Sequence, residues 1–167
     1  MVRWFCMDGV ERILEQWKAV RSDLKVEPMG LIGRIKRLNL LLGREMDRTF
    51  AAHGLNLASF DVLATLRRAG EPFRLSPGEL MESSMVTSGT MTNRIDRLVK
   101  RGYVERVENP DDGRSFLIAL TEDGKDVIDA AVSDHVETQH RLTEGLTEQE
   151  FEQLNGLLRT YLAALEE

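Results

Sequence analysis

The stretch from residue 76 to residue 120 constrains the fold of this chain most, because several local signals follow one another there in a fixed order. Ser76 precedes Pro77, an arrangement typical of a helix N-cap followed by proline at the first helical position. Glu79, three residues after Ser76, completes a capping box. The stretch therefore begins with a short helix, which we predict over residues 77–83.

A second helix, predicted over residues 88–101, has two faces of opposite chemistry. Its apolar side chains recur at helical spacing along one side: Met91, Ile95, Leu98 and Val99. The other side carries hydroxyl, amide and guanidinium groups, which bond to phosphates and base edges in the major groove of DNA. We therefore predict that five side chains of this helix contact DNA: Ser88, Thr90, Thr92, Asn93 and Arg97.

Two strand-like runs follow the second helix, at residues 103–107 and 115–120. Seven polar residues separate them, more than the two to five of a tight hairpin, so we expect a projecting loop. Arg114 stands at the end of this loop, and a narrow minor groove attracts an inserted arginine. A solvated amphipathic helix beside an ordinary surface hairpin is the alternative interpretation, but the ordered combination of elements favours DNA binding.

Helical periodicity dominates the rest of the chain. Pro28 interrupts the chain before a long helix with a leucine-rich apolar stripe that runs from Leu31 to Phe50. The apolar face of the long helix indicates burial on two sides, as in a subunit interface. The last helix carries apolar residues at alternating spacings of three and four, a seam that suits a partner helix. Gly54 is the predicted stop of the long helix, and Thr121 is the predicted N-cap of the helix after the second strand. Helices are predicted over residues 8–21, 29–53, 58–68, 121–142 and 148–165.

Together these elements predict a mainly α fold with a small β-wing, which is a winged helix-turn-helix with a helical dimerisation region. Residues 1–28 are expected to form an N-terminal extension with an added helix. Residues 29–167 are expected to form the main domain. Within it, we predict the winged helix-turn-helix at about 57–120 and dimerisation helices at 29–53 and 121–166.

Charge is unevenly distributed along the 167 residues. Residues 121–167 hold 12 of the chain's 28 acidic side chains but only three of its 22 basic ones. The net charge of −6 therefore arises in the C-terminal third. The remainder is mildly basic, which permits contact with nucleic acid. No apolar run approaches the ~18 residues of a membrane span, and the single cysteine, Cys6, cannot form an intrachain disulfide, so we expect a cytoplasmic protein.

Sequence patterns of enzymes and metal sites are missing. The chain contains neither G-x-x-x-x-G-K-[ST] nor G-x-G-x-x-G after a strand. Its histidines, His53, His135 and His140, lack the spacing of a metal site on one helix face. We therefore expect no catalytic activity, no metal and no cofactor. Two other interpretations remain open: a redox-responsive DNA-binding regulator using Cys6, or a helical adaptor that does not bind DNA.

Residues 30–124 resemble the MarR family of winged-helix transcriptional regulators. Three segments carry the likeness: FDVLATLRRAG at 60–70, SPGELMESSMVTSGTMTNRIDRLVKRGYVER at 76–106 and NPDDGRSFLIALTEDG at 109–124. The resemblance implies that residues 88–100 form the recognition helix, that Arg114 is the wing-tip arginine, and that a homodimer reads a pseudo-palindromic operator in double-stranded DNA. Family members often have a second arginine where Gly113 stands, so the wing here has one charge fewer.

A narrower likeness, to the urate-responsive HucR/PecS branch, comes from the N-terminal extension, which combines a tryptophan-containing helix with P-M-G-x-x-G-R at 28–34. This resemblance implies a repressor released by a small anionic or aromatic ligand such as urate. An indole can cover flat urate, and a guanidinium can pair with its charge. The branch has an asparagine where Ala69 stands, so another anionic or phenolic ligand, or none, remains an alternative. The implied ligand-site residues are Trp17, Asp61, Arg94 and Arg106.

Overall fold

Helices account for most of the structure, a computed structural model that describes residues 7–83 and 91–166. The chain contains two compact units, residues 1–45 and residues 46–167, and the domain boundary predicted at residue 28 stays a prediction. The predicted mainly α fold with a small β-wing is confirmed. In chain order the described elements are α1 (Gly9–Val20), α2 (Glu27–Ala52), α3 (Leu57–Arg68), β1 (Arg74–Leu75), α4 (Pro77–Ser83), α5 (Met91–Lys100), β2 (Val104–Glu108), β3 (Phe116–Leu120), α6 (Glu122–Thr143) and α7 (Glu148–Glu166).

Side-chain caps define where several helices begin. In the predicted capping box of α4, the Glu79 N–H donates to Ser76 Oγ at 3.2 Å and the Ser76 N–H donates to Glu79 Oε2 at 2.8 Å. At α6, Thr121 Oγ1 accepts a hydrogen bond from the Gly124 N–H at 3.0 Å, as its predicted capping role requires. These caps satisfy backbone N–H groups that have no partner within the first turn of a helix.

The start of α2 corrects one expectation. The sequence-based interpretation treated Pro28 as an interruption and began the helix at Met29, whereas α2 begins at Glu27. Proline is tolerated in the first turn of a helix, where its missing N–H would have no helical partner. The predicted stop at Gly54 is confirmed, since its φ of 65° lies in the left-handed region that favours glycine.

The sheet is three-stranded and antiparallel, in the order β1–β3–β2. β2 and β3 form the predicted hairpin, with Arg106 opposite Ile118. The sequence gives no signal for β1, because its two residues, Arg74 and Leu75, are too few to show an alternating pattern. They pair with Ala119 and Ile118 of β3 and so add a third strand to the wing.

The core of the second unit collects apolar side chains from the end of α2, from α3 to α5, from the sheet and from α6. Full burial of one such side chain stabilises a fold by ~1.5–3 kcal/mol, so this set fixes α5 and the wing relative to the other elements of the unit. The largest fully buried side chains include Phe50, Leu63, Leu66, Leu80, Leu98, Ile118 and Ile128.

In the first unit, the predicted added helix α1 packs against the start of α2, and the segment 28–34 makes this possible. Leu14 of α1 is buried, and a Cβ at Gly30 would lie only 3.0 Å from its Cδ1. The Arg34 guanidinium donates from Nε to the Asp8 carboxylate at 2.8 Å. The small residue permits the close approach, and the arginine ties the two helices together at the surface.

Two helices present apolar side chains to solvent. Both faces carry the seams from which we predicted subunit pairing, and contiguous exposed apolar surface marks interaction sites. In the first unit, the leucine stripe of α2 is exposed at Leu31, Leu38, Leu41 and Leu42. In the second unit, α7 has no buried residue, and its exposed apolar side chains are Phe151, Leu154, Leu157, Leu158, Leu162 and Leu165.

Candidate nucleic-acid interface and ligand cavities

The described part of the predicted recognition helix, α5, separates its two faces as the sequence indicates. Its buried apolar side chains are Met91, Ile95 and Leu98. Three of the side chains predicted to contact DNA are exposed on it: Thr92, Asn93 and Arg97. The other two, Ser88 and Thr90, lie outside the described residues. The buried face anchors the helix, so hydroxyl, amide and guanidinium groups are held at the surface in fixed spacing.

The wing is the β2–β3 hairpin with its connecting loop, residues 109–115. Turns stabilised by side chains fold this loop: Asn109 Nδ2 donates to Ser115 Oγ at 3.0 Å, and Asp112 Oδ1 accepts from the Arg114 N–H at 3.1 Å. Arg114 itself is exposed. The loop thus holds one guanidinium at the tip of the hairpin, and Gly113 beside it supplies no second charge.

Arg106, which the family likeness implies as a ligand residue, connects the wing to α5. Its Nη2 donates to Asp96 Oδ1 at 2.5 Å, and its guanidinium lies 5.4 Å from the ring centroid of Phe116. Asp96 belongs to α5 and Phe116 to β3. The side chain therefore joins the strand that carries it to the helix predicted to read DNA, so a change in its pairing would reach both elements.

A cavity of about 760 Å³, called here the aromatic cavity, lies between the end of α2, α3 and α6. Three rings form one wall: the centroids of Phe50 and Phe60 are 4.3 Å apart, and His135 lies 5.2 Å from Phe50 and 5.0 Å from Phe60. Flat rings favour a flat aromatic guest through offset or tilted stacking. The lining residues are Phe50, Leu57, Phe60, Asp61, Ala64, Arg67, Arg68, Asp129, Val132 and His135.

Charged groups also line the aromatic cavity. The Asp61 carboxylate is 6% exposed. Arg67 Nε donates to Asp129 Oδ1 at 2.7 Å, and this hydrogen bond raises the pKa of Arg67. Burial lowers the pKa of His135 below its usual value of 6.5, so the imidazole is neutral at pH 7 and acts as part of the aromatic wall. The cavity offers stacking surface together with groups that can orient a polar edge.

A second cavity of about 240 Å³, called here the polar cavity, lies between the first turn of α3 and α5. Its lining consists of amide, hydroxyl, methyl and guanidinium groups, without a carboxylate. Asn56 caps α3 here, with its Oδ1 accepting from the Ser59 N–H at 2.9 Å. The lining residues are Asn56, Ala58, Ser59, Asn93, Arg94 and Arg97.

The four residues implied as a ligand site occupy different settings. Asp61 lines the aromatic cavity and Arg94 lines the polar cavity. Arg106 pairs with Asp96, as described above. Trp17 lies on α1 in the first unit, where it is 40% exposed. Cys6, the residue of the redox alternative, lies outside the described residues.

Sequence reasoning did not identify the aromatic wall. Phe50 was predicted only as part of the apolar stripe of α2, and His135 only as a histidine without metal spacing. The wall forms because the end of α2 and the middle of α6 both pack on α3, so residues far apart in sequence become neighbours. The one local signal was Phe60, which stands next to Asp61 in the likeness segment.

No helix within residues 7–83 and 91–166 is both long and apolar enough to cross a membrane. In the same ranges, no group of three His, Cys, Asp or Glu side chains is placed to hold a metal ion.

Comparisons with known proteins place these elements in a family. A model of the MarR family matches residues 53–115, from just after α2 to the end of the wing loop. The HTH-type transcriptional regulator PecS of Dickeya dadantii is 39% identical over 149 residues, which cover 89% of this chain and 90% of that protein. The multiple antibiotic resistance protein MarR of Escherichia coli is 32% identical over 142 residues, or 84% of this chain and 96% of that protein.

Solved structures agree with this assignment. A mutant of MarR from E. coli, complexed with operator DNA, matches with a TM-score of 0.70 and 30% sequence identity, covering 83% of this chain and 96% of that chain. The predicted family and winged helix-turn-helix fold are thus confirmed, and so is the likeness to PecS. The chain belongs to the MarR family, whose members are transcriptional regulators rather than enzymes.

Proposed function

We propose that this chain is a cytoplasmic, sequence-specific DNA-binding repressor that reads a pseudo-palindromic operator. The observation that carries the proposal is the exposed polar face of α5, with Thr92, Asn93 and Arg97 held over a buried apolar back. In this proposal Ser88 and Thr90 extend the reading face, and Arg114 contacts DNA from the wing. The E. coli MarR mutant that shares the fold is itself bound to operator DNA, which supports the same use of the fold here.

The proposed functional form is a homodimer with half-sites about one helical turn apart, ~34–36 Å. The exposed apolar faces of α2 and α7 support it, because an isolated chain would leave both in water. In the proposed domain organisation, residues 1–28 extend a main domain at 29–167. Its reading part is the winged helix-turn-helix at about 57–120, and the helices at 29–53 and 121–166 pair the subunits.

We further propose that a small aromatic or anionic effector, urate for example, releases the repressor from DNA. The aromatic cavity supports this part, since its stacked rings and charged groups suit a flat polar molecule. Asp61 lies in this cavity on α3, and Arg106 joins the wing to α5. The proposed ligand residues are Trp17, whose indole suits the face of a flat ring, Asp61, and Arg94 and Arg106, whose guanidinium groups suit an anion. The effector acts only through different affinities for the two states, typically a coupling of ~1–3 kcal/mol.

Salt dependence of DNA binding tests the main part of this proposal. The purified chain is titrated onto a fluorescent duplex from the region upstream of its own gene, at several salt concentrations. A regulator that neutralises several phosphates loses affinity steeply as salt rises, with a slope of about −0.9 per phosphate on logarithmic axes. A protein that binds no duplex at low salt would contradict the proposal and favour the adaptor.

A further inference from the structure

The polar cavity lies between α3 and the face of α5 that is predicted to read DNA. Ser59, in the first turn of α3, lines it from one side. Asn93 and Arg94, which are consecutive residues of α5, line it from the other. Arg97, one turn further along α5, completes that side. Because Asn93 and Arg97 are exposed and also line this cavity, a duplex lying on α5 would bring its backbone close to the cavity and to the first turn of α3.

The charge of the polar cavity favours an anion. Two guanidinium groups line it and no carboxylate does, although the chain as a whole carries a net charge of −6. Neither Arg94 nor Arg97 forms an ion pair with any residue in the described ranges. By contrast, Asp61 and Asp129 both line the aromatic cavity. Of these two cavities, the polar cavity is therefore the one whose described lining favours a phosphate.

Two polar groups of residues that line the polar cavity also favour an anion there, because they lack hydrogen-bond partners. Arg94 Nη1 is buried and has no hydrogen-bond partner among the described residues. A buried guanidinium donor without an acceptor is costly, and an anion in the adjoining cavity would supply one. The Ser59 N–H is occupied by Asn56 Oδ1, but its hydroxyl has no hydrogen-bond partner within the described residues.

We infer that the polar cavity binds one phosphate of the operator backbone, with the Ser59 hydroxyl and the Arg94 guanidinium as its donors. The inference rests on the proposed DNA-binding function and adds α3 to the interface. It gives Arg94 a role in DNA contact in addition to its proposed response to the effector. Arg97 and Asn93 link this phosphate site to the reading face of α5. Such a contact positions the protein on the duplex and carries no sequence information of its own.

A negative charge introduced at Ser59 tests the inference. Ser59 is the third residue of α3 after the Asn56 cap, a position where glutamate suits both the capping box and the helix dipole, so Ser59→Glu should not lower the melting temperature. The added carboxylate should repel the phosphate and lower affinity for operator and unrelated duplex alike, by about tenfold or more. In Ser59→Glu and in Arg94→Gln, the plot of log affinity against log salt concentration should become shallower by the equivalent of about one phosphate contact.

Ser133→Glu is the matched control, because it adds the same charge at an exposed serine of α6 that lines neither cavity. If the wild-type chain binds DNA and Ser59→Glu matches this control in affinity and salt slope, the phosphate site is wrong while the proposed function stands. If the wild-type chain binds no duplex, both fail. Stabilisation by inorganic phosphate that Ser59→Glu abolishes, with DNA affinity unchanged, would also overturn the inference and show a site for free anions.

Discussion

Gly124 shows how a single residue can fix the position of a helix. It lies in the first turn of α6, where a Cβ would stand only 1.9 Å from the backbone oxygen of Tyr103. The same junction is closed by Thr121, whose N–H donates to the Tyr103 oxygen at 3.2 Å and whose hydroxyl donates to the Gly102 oxygen at 2.6 Å. Helix α6 can therefore follow directly on the wing only because this position has no side chain.

Gly124→Ala should destabilise the protein by several kcal/mol, because the clash is with backbone and not with a flexible side chain. Gly156→Ala is the control: it lies on α7 with open space around it, and alanine there should stabilise by up to ~1 kcal/mol. Thermal unfolding of the two variants measures both effects. Equal melting temperatures for Gly124→Ala and the wild type would show that the close junction does not exist.

His135 makes stability depend on pH. Burial lowers its pKa in the folded state, so the unfolded chain binds the proton more readily. Its contribution to stability is complete above the unfolded pKa of about 6.5 and declines as the pH falls through that value. His135→Phe keeps a ring against Phe50 and Phe60 and removes the titration.

Urea unfolding at pH 7.5 and pH 5.5 measures this effect. The loss of stability on acidification should be smaller in His135→Phe than in the wild type. His140→Gln, a change at an exposed histidine on the same helix, should leave the loss unaltered. If His135→Phe loses as much stability as the wild type between the two pH values, the buried histidine is not the cause.

At the scale of elements, the sequence predicts the features that depend on neighbouring residues and misses those that depend on tertiary contacts. Local signals worked: the capping box of Ser76 and Glu79 and the cap at Thr121 predicted helix starts that the structure contains. Signals that need the tertiary fold were absent. The two residues of β1 acquire their strand only by pairing with β3, and the aromatic wall exists only because α2 and α6 pack on α3.

Helix α7 carries the prediction that belongs to this scale. Leu158 is 46% exposed, so aspartate there costs the isolated subunit little. In a dimer seam the same carboxylate would be buried without a partner, at a cost of several kcal/mol. Leu158→Asp should therefore lose dimerisation and operator binding together. Thr160→Asp, on the opposite side of the helix at 100° per residue, should keep both.

Sedimentation at micromolar concentration measures the oligomeric state of both variants, and a DNA titration measures their operator binding. A Leu158→Asp protein that remains dimeric would remove α7 from the interface. Dimerisation by a chain that ends before Glu148 would have the same consequence.

For the whole molecule, the proposed effector connects the cavity, the wing and the reading helix. Urate at about a hundred times its dissociation constant should stabilise the free protein by ~2.7 kcal/mol and release DNA. Arg106→Ala should lose both responses, because this side chain joins β2 to α5. Arg114→Ala, which changes the wing tip only, should keep the stabilisation. If neither the melting temperature nor the operator affinity responds to urate, that effector is wrong while DNA binding stands.

The central claim is that α5 reads base sequence while the wing holds the backbone. Its most direct test compares the affinities of the wild type, Thr92→Ala, Arg97→Ala and Arg114→Ala for the operator and for a scrambled duplex of the same length, at one salt concentration. The two α5 variants should lose ~1–3 kcal/mol of binding free energy on the operator and much less on the scrambled duplex, so their discrimination falls. Arg114→Ala should lower the affinity for both duplexes by similar factors. Unchanged discrimination in Thr92→Ala and Arg97→Ala would contradict the account.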